Sequence, residues 1–373
     1  MRIFVAVASS PNAEGLPQSR LWHENLVRPL IDLGHEVVEF DFDWSETMRH
    51  VNLADPVQMD YIRVHRPRFS EELWRQVLAA HANKPLDLFF SYLYSGNVLP
   101  ETIRRISGQG VPTVNWYCNA SFQLDLVAEI APAFDYCLVP EKFRLEDYRR
   151  LGANPIYCQE AANPDIYKPY DVPQEYDVTF VGQAYGNRPG LIGKLIEEGV
   201  SARVWGPNWI EQRTPEPGWK SAARRLKRAI LGQTSAGQTL VPAEYCGGPL
   251  SDEELVRMYS RSKISLGFTS VGLIAENPAE QIKQVRLRDF EATMSGAFYL
   301  VEEFDELAEF FEPGKEIVMF RDGEELVEKA RYYLKHEQER EEIRQAGLKR
   351  AREEHTWHKR FEMVFEKIGL AGR

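Results

Sequence analysis

The sequence has few cysteines and none in close pairs. Cys118, Cys137, Cys158 and Cys246 are scattered without a C-x-x-C spacing, so neither a zinc knuckle nor a disulfide framework is expected, and a reducing cytoplasm fits best. No apolar run approaches the ~18 residues of a membrane span. The run Ile3 to Ala8, six residues behind one arginine, is shorter than the hydrophobic region of a signal peptide and reads as a strand. Positive charge is not in excess either. Lys and Arg number 45 against 56 Asp and Glu, a formal net charge of −11, which disfavours a nonspecific grip of the whole surface on duplex nucleic acid or anionic membrane. With 43% hydrophobic and 27% charged residues there is no large disordered fraction, and 373 residues exceed one small core, so two domains are expected.

What is present alternates. Ile3 to Ala8, a Gly/Pro/Ser/Asn-rich loop from Ser9 to Ser19, a helical pattern from Arg20 to Leu33, Gly34 and the β-branched Glu36 to Phe40 follow as strand, loop, helix, stop and strand. The rhythm recurs with strands at Leu86 to Tyr92, Pro112 to Trp116 and Tyr136 to Val139, and helices at Pro100 to Gly108 and Glu141 to Leu151. A second series begins with the strand Asp177 to Gly182, followed by a helix from Pro189 to Glu198 and a strand from Ala202 to Gly206. Ser251 then opens a helix, with Glu254 completing a capping box, and Lys263 to Phe268 is a strand. Asn163 to Pro173, with three prolines, reads as the linker. The pattern predicts an α/β protein of two Rossmann-like doubly wound domains, 1–170 and 171–353, with a ligand cleft between them and a helical tail at 354–373 that crosses back onto the first domain.

The segment from Gln281 to Gly296 predicts a helix entered near Val285 and ended by Gly296, with a strand from Ala297 to Val301 behind it. A helix start carries free N–H groups and the positive end of the dipole, an arrangement suited to phosphate. Lys283, Arg286 and Arg288 add cations where the dipole disfavours them, which costs stability unless an anion binds; fixed positive charge there would stabilise a departing diphosphate. Glu291, three residues after Arg288, can accept both hydroxyl hydrogens of a ribose. An ordinary i,i+3 ion pair is the alternative for those two residues. Gly182 to Pro189, between a strand and a helix, can bring backbone amides and Arg188 to phosphate, or be a simple turn.

The run Arg288 to Phe298, with Arg288-Asp-Phe-Glu291-Ala and Gly296-Ala, resembles the core of the CgeB-like, spore-maturation-type glycosyltransferases of GT-B fold. Phe311 to Ile317, Asp322 to Leu326, Tyr332 to Leu334, Gly347 and Glu354 to Arg360 are similar to that family's C-terminal signature, and Asp177 to Gly182 to the first strand of its second domain. Trp116 to Asn119 and Phe134 to Pro140 are weaker matches in the first half. The resemblance implies a nucleoside-diphosphate sugar donor on the second domain, with Glu291 on the ribose and Lys283 to Arg288 on the diphosphate, and an acceptor over the first domain. It also implies main-chain contacts to the base near Gly247, in the run Tyr245 to Leu250, whose glycines otherwise only permit a tight loop, and no bound metal or tightly held cofactor. One position departs from the pattern. Many retaining GT-B transferases carry a glutamate eight residues before the ribose glutamate, and here Lys283 stands there.

His23, Glu24 and Asp125 are first-half candidates for the base that an inverting transferase needs, and their spacing selects none of them. His355 and His358 lie at i,i+3, a spacing able to ligate metal, but without an evident carboxylate or cysteine partner; Trp357 packing its helix onto the body is the simpler account. The stretch Trp219 to Leu231 holds five basic residues and no acid; it is either a docking helix for an anionic partner or surface, or a solvated helix over the sheet. The expected activity is transfer of a sugar, of hexosyl type, from a nucleotide-sugar donor to an acceptor hydroxyl, with no nucleic-acid partner. The rivals are a nucleotide-sugar epimerase or hydrolase and a catalytically silent coat or assembly protein that kept the fold.

Overall fold

The computed structural model describes residues 1–8, 21–209, 241–272 and 281–372. The loop expected at Ser9 to Ser19, the helix start at Arg20 and the basic stretch Trp219 to Leu231 lie outside the described residues. Contacts divide the chain into two compact units. One is Met1–Lys168 with Gln284–Met294 and Lys349–Arg373; the other is Pro169–Lys283 with Ser295–Leu348.

In the first unit β1 (Arg2–Ala6), β2 (Glu36–Glu39), β3 (Leu88–Ser91), β4 (Thr113–Trp116), β5 (Tyr136–Val139) and β6 (Pro155–Tyr157) form a sheet of order β2-β1-β3-β4-β5-β6. All its pairs are parallel, with Ile3 opposite Val37 on one side and Leu88 on the other. Every residue of β1, β3 and β4 is buried, as a parallel sheet covered by helices on both faces requires. In the second unit β7 (Tyr176–Val181), β8 (Ala202–Trp205), β9 (Cys246–Gly247), β10 (Ser262–Gly267), β11 (Tyr299–Glu302) and β12 (Val318–Phe320) are ordered β12-β11-β10-β7-β8-β9, again all parallel. Counted within that unit this is the 3-2-1-4-5-6 order of a doubly wound fold, whose strand order reverses between β7 and β10. The corresponding switch in the first unit lies between β1 and β3.

The end of the chain belongs to the first core. Trp357, fully buried, stands edge-on to Trp116 at 5.0 Å, and Phe361 meets Phe90 at 5.3 Å. The division expected at residues 170 and 353 is crossed by 284–294 and 349–353, which group with the first unit. The reason is packing: the buried Phe290 lies 5.4 Å from His355 and under the Arg360 guanidinium at 5.8 Å, and the Ser121 hydroxyl donates to Gln284 Oε1. Two further helices differ from expectation. The described part of the first is a π-helix, His23–Val27, running into Arg28–Asp32, with Asn25 held by Leu21 and Asn163. A 28-residue helix, Pro56–Asn83, occupies a region where no element is expected; it buries Ile62, Phe69, Leu73 and Val77 along one stripe. Among the described residues no helix is long and apolar enough to cross a membrane.

Candidate functional site

Ligands of doubly wound sheets sit at the carboxyl ends of the strands, beside the switch point. In the second unit that edge carries Gly182 after β7, Thr269 and Ser270 after β10, and Glu302 at the end of β11. Gly182 is tied down on both sides: its N–H donates to the Trp205 carbonyl at 2.7 Å, and its carbonyl accepts from Trp209 Nε1 at 2.6 Å. A side chain there would meet the Phe180 ring at 2.7 Å. Expected to lend its amide to phosphate, Gly182 instead spends it on β8. Arg188, 6% exposed, turns inward as well. Its guanidinium donates to the Gln183 carbonyl at 3.0 Å and the Tyr185 hydroxyl at 2.7 Å and lies 3.8 Å from the Tyr185 ring centre, so it braces the loop from within. Gly247 lies in β9, a short edge strand, where a Cβ would come within 2.1 Å of the Trp205 indole; of the two readings of this run, a base contact and a tight loop, the loop does not describe Gly247.

Lys283 is held at the same edge of the sheet. It bridges antiparallel to Ser270, its Nζ donates to the Glu303 carbonyl at 2.7 Å, and Glu302 Oε1 is 4.0 Å away. Glu302, 6% exposed, accepts from Ser270 Oγ at 2.6 Å, from the N–H groups of Ser270 and Thr269 at 2.9 and 3.1 Å, and from Asn187 Nδ2 at 3.4 Å. Sequence reasoning missed it. Its one signal is position, a carboxylate at the carboxyl end of a predicted strand.

Val285, Arg286, Arg288 and Glu291 group with the first unit. The helix starts at Leu287 rather than near Val285, and the Arg286 N–H is taken by Asp289 Oδ2 at 2.8 Å, so a carboxylate of the helix itself occupies part of the start that was expected to face phosphate. Val285 is 4% and Glu291 3% exposed, while Arg286 and Arg288 are half-buried. Near them is a second carboxylate that the sequence reading passed over. Glu160 is 4% exposed, and its Oε2 has no hydrogen-bond partner. Burial first, then Glu141, pushes its carboxyl well above the ordinary range; Arg286 opposes, and Glu291 and Asp289 add to the rise.

The base candidates are dispersed in the first unit. His23 Nε2 is 3.6 Å from Glu39 and Nδ1 3.8 Å from Glu24, and Asp125 is exposed. His355 and His358 do not converge: the first meets Arg360 at 3.4 Å and the second Asp32 at 3.5 Å. Among the described residues no three His, Cys, Asp or Glu side chains gather as metal ligands would.

Residues 188–366 match the model of a family described as glycosyl transferase-like. No curated protein sequence matches the chain. Solved structures do. Sucrose-phosphate synthase from Thermosynechococcus elongatus is 13% identical over 99% of this chain and 98% of its own, with a TM-score of 0.58. Anabaena HepE, solved in complex with UDP and glucose, is 12% identical over 99% of both chains at 0.55, and a glycosyltransferase from Rickettsia africae is 11% identical over 100% and 99% at 0.53. The fold, two parallel six-stranded sheets with flanking helices, is that of the GT-B glycosyltransferases. Within it, the glycosyl transferase-like match takes in the strand edge that carries Lys283 and Glu302.

Proposed function

We propose that the chain is a glycosyltransferase of hexosyl type that moves a sugar from a nucleoside-diphosphate sugar to an acceptor hydroxyl. The observation that carries this reading is the glycosyl transferase-like match over residues 188–366 on a GT-B fold. HepE, of the same fold, is described with UDP and glucose, which makes uridine the first base to test. The donor diphosphate lies near Lys283, Arg286 and Arg288, Glu291 takes the ribose, and the main chain at Gly247 and Val285 lines the donor site, with Arg188 bracing the loop after β7 and Gly182, its own N–H bonded to Trp205, shaping that loop rather than donating to the ligand. The acceptor oxygen attacks the anomeric carbon as the bond to the diphosphate breaks; the electron pair leaves on the diphosphate, countered by the cations, and the acceptor's proton passes to a base. No resident metal is required, because fixed cations neutralise the leaving group. The CgeB-like resemblance and a cytoplasmic setting belong to this same reading.

A thermal-shift screen of UDP, GDP, ADP and dTDP and their sugars tests it. A ligand at 100 times its dissociation constant stabilises by about 2.7 kcal/mol, and Glu291→Ala and Arg288→Ala should each abolish the shift while the variants stay folded. No shift with any nucleotide contradicts the proposal.

A further inference from the structure

Glu302 is an ionised type of side chain placed almost wholly out of water. It is met there by two hydroxyls, two backbone N–H groups and an amide, with an ammonium at 4.0 Å. Stability alone does not ask for this. A buried ion pair contributes little compared with apolar groups of the same volume, because desolvation offsets its attraction, and the segment after β10 needs only neutral acceptors for its amides. What the carboxylate adds is location. Through Asn187 it reaches the loop after β7, through Thr269 and Ser270 the segment after β10, and beside it stands Lys283, so one group ties together the two sides of the switch point.

We infer that Glu302 is a positioning residue for donor binding: it fixes the Thr269–Ser270 segment and, with the Glu303 carbonyl that Lys283 Nζ donates to, keeps the Lys283 ammonium at the place where a nucleoside diphosphate presents its phosphates. The inference rests on the donor-binding reading above and adds to it a residue that touches no substrate. Its effect is confined to the phosphate end of the ligand, since none of Asn187, Thr269, Ser270 and Lys283 is assigned to the base or the ribose.

Calorimetric titration of the full chain with UDP and with uridine separates the cases. Glu302→Gln keeps the shape and removes the charge, so UDP should bind about tenfold more weakly, the scale of one hydrogen bond to a charged group, while uridine binds as before. Lys283→Met should show the same selective loss, and the double variant no more than either single one. Ser270→Ala, which removes the 2.6 Å contact and leaves the charge, serves as the second probe should Glu302→Gln unfold, and a loss of UDP affinity with uridine unchanged supports the inference there too. Unchanged UDP affinity in a folded Glu302→Gln chain overturns it, as does equal loss for UDP and uridine, which marks a scaffold. Tighter UDP binding also overturns it, because the carboxylate would then merely repel the phosphates. In each of these the wild-type chain still binds UDP, so the donor reading stands; a wild-type chain that binds none of the nucleoside diphosphates removes both.

Discussion

Trp357 sets its indole at 88° to that of Trp116, ring centres 5.0 Å apart, so the helix Trp357–Lys367 closes the core against β4, over 240 residues earlier in the chain. Phe361, Val364 and Phe365 of the same helix join that core. The end of the chain is therefore a structural part of the first unit, and its loss should be felt there.

Trp357→Ala removes a side chain that is fully buried. The expected cost is about 3–5 kcal/mol, from lost transfer energy and the cavity left behind. Urea unfolding followed by tryptophan fluorescence should show the first unit melting early, and Trp357→Phe should recover part of the loss. A midpoint unchanged in Trp357→Ala would mean that this contact does not hold the helix.

Gly347 sits inside the helix Glu337–Glu354, where alanine ordinarily gains about 1 kcal/mol over glycine. Here a Cβ would lie 2.3 Å from the Glu316 carbonyl oxygen, a backbone atom that cannot swing away. Overpacking of this kind costs about 1–3 kcal/mol, so Gly347→Ala should lower the thermal midpoint instead of raising it. Differential scanning calorimetry decides the sign.

Glu160 makes stability depend on pH. Its carboxyl is raised in the folded chain, so at acid pH both folded and unfolded forms hold the proton and no penalty applies. As pH climbs above the ordinary value of 4.5 the unfolded chain releases that proton first, and stability falls until the folded carboxyl also ionises. Glu160→Gln, fixed in the neutral form, should remove this decline. Urea midpoints at pH 5, 6.5 and 8 should show the variant gaining on wild type with each step; parallel curves would count against the buried, unpartnered carboxyl.

Much of the fold could be read from local signals. The capping box at Ser251 and Glu254 forms as the spacing requires, with the Ser251 N–H donating to Glu254 at 2.8 Å, and Gly296 ends its helix with φ +73°. Strands β1, β5 and β7 fall where apolar, β-branched runs lie between turn residues. The helix Pro56–Asn83 was illegible because Pro67, a residue that ordinarily ends a helix, stands inside it and its buried stripe is thin among charged residues. The site was read only in part. The candidates Lys283, Arg286 and Glu291 stand close together in sequence, so a motif could single them out for testing. Glu302 meets Thr269 and Ser270 only because β10 and β11 pair in parallel, and Glu160 feels the charge of Arg286 only because segment 284–294 groups with the first unit. No periodicity announces either. Asp289 capping the Arg286 amide was likewise hidden, since a carboxylate three residues on reads equally well as surface charge.

A crystal structure of the chain grown with UDP, or with whichever nucleoside diphosphate gives the largest thermal shift, bears most directly on the account as a whole. The diphosphate should lie within hydrogen-bonding distance of Lys283 Nζ, with the ribose hydroxyls on Glu291. A nucleotide bound elsewhere, or a chain that takes up none at millimolar concentration, would contradict it.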